Sequence, residues 1–219
     1  MDEQFGHAES NAVSKVRTFG NFALAKKDLA IAVVACFAAM LSSCAQPARQ
    51  SLMAAPGVMG TVVVTSPVLK NSISISEVTG GKETNPMWTS QVNSPEFKAA
   101  LELSLRNNVM LADNPSDTKY LVSAQLIDLK QPLIGIDMTV TSKVNYRVVE
   151  KSSRNEVFYE EVTTPFTANF GSAIYGPERL RLANEGAIRE NIQKFITRFV
   201  ESWLARNPAQ SKQSLPPTS

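Results

Sequence analysis

IDMTVTSKVNYRV, residues 136–148, carries the clearest two-residue period in the chain. Ile136, Met138, Val140, Val144, Tyr146 and Val148 fall on one side, and Asp137, Thr139, Thr141, Lys143, Asn145 and Arg147 on the other. Successive residues of a strand point to opposite faces, so this segment reads as a strand with one buried and one wet face, as in an antiparallel sheet.

Its neighbours extend the pattern. KSSRN at 151–155 reads as a hairpin loop, and residues 156–170 return as the next strand, which Pro165 confines to an edge or a bulge. Upstream, Tyr120, Val122, Ala124 and Leu126 share one face of a strand whose other face holds Leu121, Ser123, Gln125, Ile127 and Leu129. Apolar residues on both faces suit a central position. Two shorter strands come earlier. One is TVVVT at 61–65; the other is 72–78, where Ile73, Ile75 and Val78 turn inward and the broken alternation before Val78 marks a bulge or an end.

Two helices complete the domain. Ser94-Pro95-Glu96 reads as a start, with serine capping, proline in the first turn and glutamate complementing the dipole. Phe97, Leu101, Leu105 and Val109 then form a stripe. The second helix runs from Pro177 to near Ala205, with Leu180, Ile188, Ile192, Phe195, Ile196, Phe199 and Trp203 inward, Ala183 and Ala187 beside them, and Gly186 permitting close approach. Arg179, Arg181, Arg189 and Arg198 with Glu178, Glu185 and Glu190 read as its solvated face. The order is β-β-α-β-β-β-α, an α+β fold with an antiparallel sheet of about five strands and two helices on one face.

Between the second strand and the first helix lies a long loop, residues 79–93 (TGGKETNPMWTSQVN). Met87 and Trp88 place a large apolar pair in this polar setting, either as a partner contact or folded back as a lid on the core.

The other informative stretch is KKDLAIAVVACFAAMLSSC, residues 26–44. Two lysines precede a segment, 29–41, without charge or proline. It is shorter than the roughly 20 residues a membrane span requires. The order fits an export signal ending in a lipidation site, with Leu41-Ser42-Ser43-Cys44 as lipobox, cleavage between Ser43 and Cys44, and acylation of the Cys44 thiol. An ordinary secretory cut also suits Ser43-Cys44-Ala45, and Leu41 favours lipidation. Cys36 follows small residues too, but cleavage there leaves a short apolar core and exposes FAAML. Residues 1–43 are thus expected to be removed, with 1–25 a long n-region or an extension from a mis-assigned start near Val13 or Leu24. Residues 44–59 read as lipidated cysteine and flexible tether, 60–206 as one periplasmic domain, and 207–219 as a disordered tail rich in proline and serine.

Removing residues 1–43 leaves 176 of 219 residues, ample for one core, with 43% hydrophobic and 19% charged residues over the whole chain. The net charge of +2 offers no basic face for nucleic acid. Cys44 is the only cysteine beyond the signal, so no internal disulfide can form there, and the single histidine, His7, is lost with the signal. Zinc sites of the usual ligand types and Ser/His/Asp or Cys/His catalysis are excluded from the mature part. No cofactor is expected. The remaining chemical alternative is an envelope enzyme using Asp128 and Asp137, which flank the IGI turn. Glu160 and Glu161 are adjacent on a strand and face opposite ways.

Together with the lipobox at Cys44, the segments GGKETNPMWTS, QPLIGIDMTVTSKVNYRV and GPERLRLANEGAIRENI resemble a family of uncharacterised alphaproteobacterial envelope lipoproteins. The resemblance spans nearly the whole domain. Some members carry the label UDP-N-acetylglucosamine acyltransferase, an activity built elsewhere on hexapeptide repeats and a catalytic histidine, and this domain has neither. The element order is also similar to small periplasmic domains of envelope-assembly lipoproteins. The resemblance implies anchoring in the lipid bilayer by diacylglycerol and acyl (palmitate-type) chains on Cys44. It also implies retention at the periplasmic face of the outer membrane rather than the inner, because Ala45 and not aspartate follows the cysteine. A non-catalytic protein-binding or assembly role, with an envelope protein as partner, is the expectation.

Overall fold

The computed structural model describes residues 46–57, 67–85 and 89–208. The chain divides into two units, Met1–Ser43 and Cys44–Ser219, and all described residues belong to the second. The fold is α+β. A short helix α1 (Gln50–Met53) precedes β1 (Ile73–Thr79), α2 (Ser94–Asn107), β2 (Tyr120–Lys130), β3 (Met138–Glu150), β4 (Glu156–Ala168) and the long α3 (Gly176–Arg206). The expected strand at 61–65 lies outside the described residues, as does the tail beyond Pro208.

Among the described residues the sheet is four-stranded in the order β1-β2-β3-β4, and it is mixed, correcting the antiparallel expectation. β1 pairs parallel with β2, while the β2–β3 and β3–β4 pairs are antiparallel. The reason is connectivity: β1 and β2 are joined through α2, and a helical crossover returns the chain in its original direction, whereas short turns reverse it. The anticipated bulge in β1 is present between Ile75 and Glu77. A second register shift, between Leu126 and Asp128, leaves Ile127 half-exposed and turns Leu129 back onto the core. β4 is an edge among the described strands, which accommodates Pro165.

Helices α2 and α3 lie on the face formed by Val122, Ala124, Val144, Tyr146 and Val148. At the centre the Tyr146 and Phe195 rings stack at 4.1 Å, and Phe158 meets Phe195 and Phe199 edge-on at 5.8 and 5.6 Å. The α3 stripe expected from sequence is buried throughout, from Leu180 to Trp203. Gly186 sits where an added Cβ would fall 2.2 Å from the Phe166 ring, so its absence lets α3 settle on β4. Ile136, placed inward by alternation, is instead 75% exposed, because β3 begins only at Met138 and residues 131–137 form the turn.

Tyr146 is fully buried and its hydroxyl finds no hydrogen-bond partner. Burial pushes its pKa well above the ordinary tyrosine value. The folded state therefore keeps the proton after the unfolded chain has released it. Stability from this residue is intact below about pH 10 and falls above it by up to ~1.4 kcal/mol per pH unit. Tyr146→Phe removes that alkaline loss and is neutral or mildly stabilising at pH 7; urea unfolding at pH 8 and pH 11 checks both.

At the start of α2 the cap is Asn93, whose Oδ1 accepts from the Glu96 N–H at 2.8 Å, rather than Ser94. Ser94 is the first helical residue, and its Oγ accepts from the Gly81 N–H at 3.0 Å. At the other end the helix closes before Val109, correcting the stripe's last member. Met110 N–H donates to Leu105 O at 2.8 Å and Val109 N–H to Arg106 O at 2.9 Å, a Schellman closure with Val109 left-handed at φ 55°. A β-branched residue is strained there. Val109→Gly is expected to stabilise the domain by about 1 kcal/mol, raising Tm by roughly 3 °C in calorimetry.

Candidate functional site

The lipobox residues Leu41, Ser42, Ser43 and Cys44 and the pair Met87 and Trp88 lie outside the described residues. What is described is the chain immediately after the cysteine and the stem of the loop that carries the pair. Residues 46–57, expected to form a tether, are docked on the domain. Ala48, Met53, Ala54 and Ala55 are buried. The Ala55 N–H donates to Ser104 Oγ at 2.8 Å, and Asn107 Nδ2 to Ala55 O at 3.0 Å, fastening the end of this segment to α2. Two prolines and a glycine suggested a slack chain; apolar partners on α2 and α3 override that composition.

The other half of the segment is held by charge. Glu185 on α3 is buried, and its carboxylate accepts from the Arg49 backbone N–H at 2.9 Å, from Nε at 3.1 Å and from Nη2 at 3.4 Å. The hydrogen bond to Glu185 raises the Arg49 pKa against the opposing effect of burial. Arg181, also buried, pairs with Glu178, lies 3.9 Å from Glu185 and donates from Nη1 to Gln46 Oε1 at 2.9 Å. Arg179 is buried as well. These three residues, read as a solvated face, are enclosed because the start of α3 is covered on its outer side, Arg181 and Glu185 by residues 46–57 and Arg179 by residues 170–174.

A polar chain links this clasp to the long loop and to the β2–β3 turn. Ser90 Oγ donates to Gln46 O at 2.7 Å. The Ser90 carbonyl accepts from Gln131 Nε2 at 2.8 Å and Asn184 Nδ2 at 2.9 Å. Ala48 N–H reaches Gln91 O at 3.2 Å. The loop stem is itself stitched, with Lys82 N–H on Val92 O at 2.9 Å and an Asn85–Thr89 bridge flanking residues 86–88. Gln46, the α3 N-terminus, the loop stem and Gln131 therefore share one end of the domain.

Asp128 and Asp137 do not approach each other. Asp128 stands opposite Lys143 in the β2–β3 register, whereas Asp137 Oδ1 accepts from the Phe170 N–H at 2.9 Å. The six residues from Asp137 to Lys143 span about 20 Å of strand. The turn is longer than a tight hairpin, and this separates the two carboxylates. Glu160 and Glu161 do diverge as expected, Glu160 pairing with Arg198 on α3 and Glu161 with Lys143 on the open face at 3.0 Å. Among the described residues no group of three or more His, Cys, Asp or Glu side chains could hold a metal ion, and no helix is long and apolar enough to cross a membrane.

A concavity of about 700 Å³ runs along the outer edge of β4 beneath the last turns of α3. Val157, Tyr159, Arg198 and Ser202 are among its walls. Sequence patterning gave no sign of it, because it forms between elements far apart in the chain.

No family model and no curated protein matches the chain. Among solved structures it is similar to a Xanthomonas campestris protein of family DUF330, at 11% identity and TM-score 0.48, covering 71% of this chain and 98% of that one. It is also similar to a candidate lipoprotein from Caulobacter crescentus, at 14% identity and TM-score 0.45, over 66% of this chain and 97% of that one. A lipoprotein from Neisseria meningitidis matches at 10% identity and TM-score 0.30, over 59% and 98%. Likenesses of this size transfer neither family nor function. They lend nothing to the acyltransferase label or to an alphaproteobacterial source.

Proposed function

We propose that the chain is a membrane-anchored envelope lipoprotein, acylated at Cys44, whose domain binds a protein partner rather than transforming a substrate. The observation that carries the binding role is the outer edge of β4. Among the described strands it has no further strand beside it, and it borders the groove roofed by α3. An edge of this kind accepts an extended segment through its main chain, and alternate side chains of that segment then enter the groove. Tyr159, 60% exposed on this strand, supplies an aromatic contact, and the Glu160–Arg198 pair a polar rim. The lipobox supports the anchoring, and Ala45 favours the periplasmic face of the outer membrane.

A photoreactive amino acid at Tyr159, compared with one at Lys98 on the exposed side of α2, tests the binding role in intact envelopes. One protein adduct specific to position 159 is expected. Identical adduct patterns at the two positions would count against the β4 edge as a binding surface. Mass spectrometry of the mature N-terminus, with separation of inner and outer membranes, tests anchoring and location.

A further inference from the structure

The end of the domain that holds Gln46 also carries the largest exposed apolar side chains. Leu133 is 100% exposed, Ile134 93% and Ile174 91%, and Ile136, Phe170 and Tyr175 are at least half exposed. The first three of the hairpin lie in PLIGI, residues 132–136, and the others in FGSAIYG, residues 170–176; neither stretch contains a charge. The two are neighbours. Met138 pairs with Ala168 in the β3–β4 register, and Asp137 accepts from the Phe170 N–H.

The FGSAIYG tip is held, not loose. The buried Arg179 donates from Nη1 to Ala173 O at 2.7 Å and Ile174 O at 2.8 Å, and its guanidinium lies 5.0 Å from the Phe170 ring centre. A buried arginine thus fixes an isoleucine that points into solvent. Exposed apolar residues that are grouped and free of charge mark a contact surface.

The chain leading to Cys44 says what covers it. Gln46 is fastened through Arg181 on α3 and through Ser90, which Gln131 also binds. Two residues of chain reach about 7 Å at most, so Cys44 lies within that distance of Gln46. Acyl chains on its thiol enter a bilayer, which places this end of the domain at the lipid surface. We infer that the PLIGI turn and the FGSAIYG segment dock into the headgroup region of that bilayer, so that lipid anchor and apolar tips together fix how the domain stands on the membrane. Aromatic residues such as Phe170 and Tyr175 suit the interface, and the aliphatic tips the acyl boundary. The inference rests on the lipoprotein reading proposed above. It adds an oriented face in place of a domain swinging on a tether.

The test uses the whole protein as exported, in its own membranes, with a diazirine-bearing amino acid at Ile134, at Ile174 or at Ser153 in the β3–β4 hairpin at the opposite end of the sheet. After illumination, phospholipid adducts are counted by mass spectrometry, and the mass of the mature N-terminus is read from the same sample. Lipid adducts at 134 and 174 roughly tenfold above those at 153 are expected. Adducts at 134 and 174 that are mainly to protein, or lipid adducts no higher than at 153, overturn the proposal even when Cys44 is acylated. An unmodified Cys44 with strong lipid adducts at 134 and 174 would instead sink the anchor reading and leave the docking face standing.

Discussion

Gly80→Ala is expected to destabilise the domain by about 4 kcal/mol, lowering Tm on the order of 10 °C. Gly80 follows directly on β1, where the chain turns away from the sheet with φ 82°, the left-handed region that a side chain enters only at a cost. Space is the larger obstacle. A Cβ here would fall 2.0 Å from the carbonyl oxygen of Leu126, on β2 beside the register shift. That neighbour is backbone, tied into the ladder on both sides, and cannot rotate away. The substitution must push β1 from β2 or distort the start of the 79–93 loop. Gly171→Ala is the control, because nothing lies within 4 Å of its Cβ position, and its stability should stay within about 0.5 kcal/mol of the parent. Calorimetry on the two variants measures the difference; similar Tm values for both would mean that the Gly80 turn adapts without cost.

Glu185→Ala is expected to cost about 3 kcal/mol and to release residues 46–57. Its carboxylate is the acceptor for three Arg49 donors and the charge nearest Arg181 apart from Glu178. The Arg49 side chain is 47% exposed and can turn to water once its partner is gone, so little of the loss arises there. The Arg181 side chain is 7% exposed and has no such escape. The penalty is mainly that of a buried guanidinium left with Glu178 alone as counter-charge. Arg49→Ala should therefore cost less, about 1 kcal/mol, and the double variant should show a coupling of roughly 1 kcal/mol. A second readout follows the segment itself. Trypsin cuts after arginine in extended chain, and the exposed Arg49–Gln50 bond is held at the start of α1 while the segment is docked. Cleavage there should become fast in Glu185→Ala before the rest of the domain is digested. Equal cleavage rates in parent and variant would show that other contacts, such as Met53 in the core, hold the segment without the charge.

How far the candidate site was legible depended on whether its members interact locally. The central position of β2, the inward residues of β3 from Val140 to Val148, the bulge in β1, the edge position of Pro165, the α3 stripe and the role of Gly186 all follow from side-chain period or residue shape. Each of these needs only one element and one face. The enclosure of Arg179, Arg181 and Glu185 could not be read that way. On a helical wheel they belong to the polar side; Arg181 and Glu185 are buried because a segment more than 130 positions earlier lies across them, and Arg179 because residues 170–174 fold over it. Asn93 rather than Ser94 as cap is a smaller case, settled by which oxygen the Gly81 N–H had already occupied.

From sequence alone came the α+β class and the order of the elements from β1 to α3, because periodicity and turn chemistry are properties of short stretches. Tertiary structure decided that β1 and β2 run parallel, that Asp128 and Asp137 are strand lengths apart and that the chain after Cys44 is clamped to the domain. Those are matters of which distant surfaces meet, and no local pattern encodes them. The apolar tips at Ile134 and Ile174 show the division most plainly: each was visible as a residue, but only folding set them at one end, the end that holds Gln46.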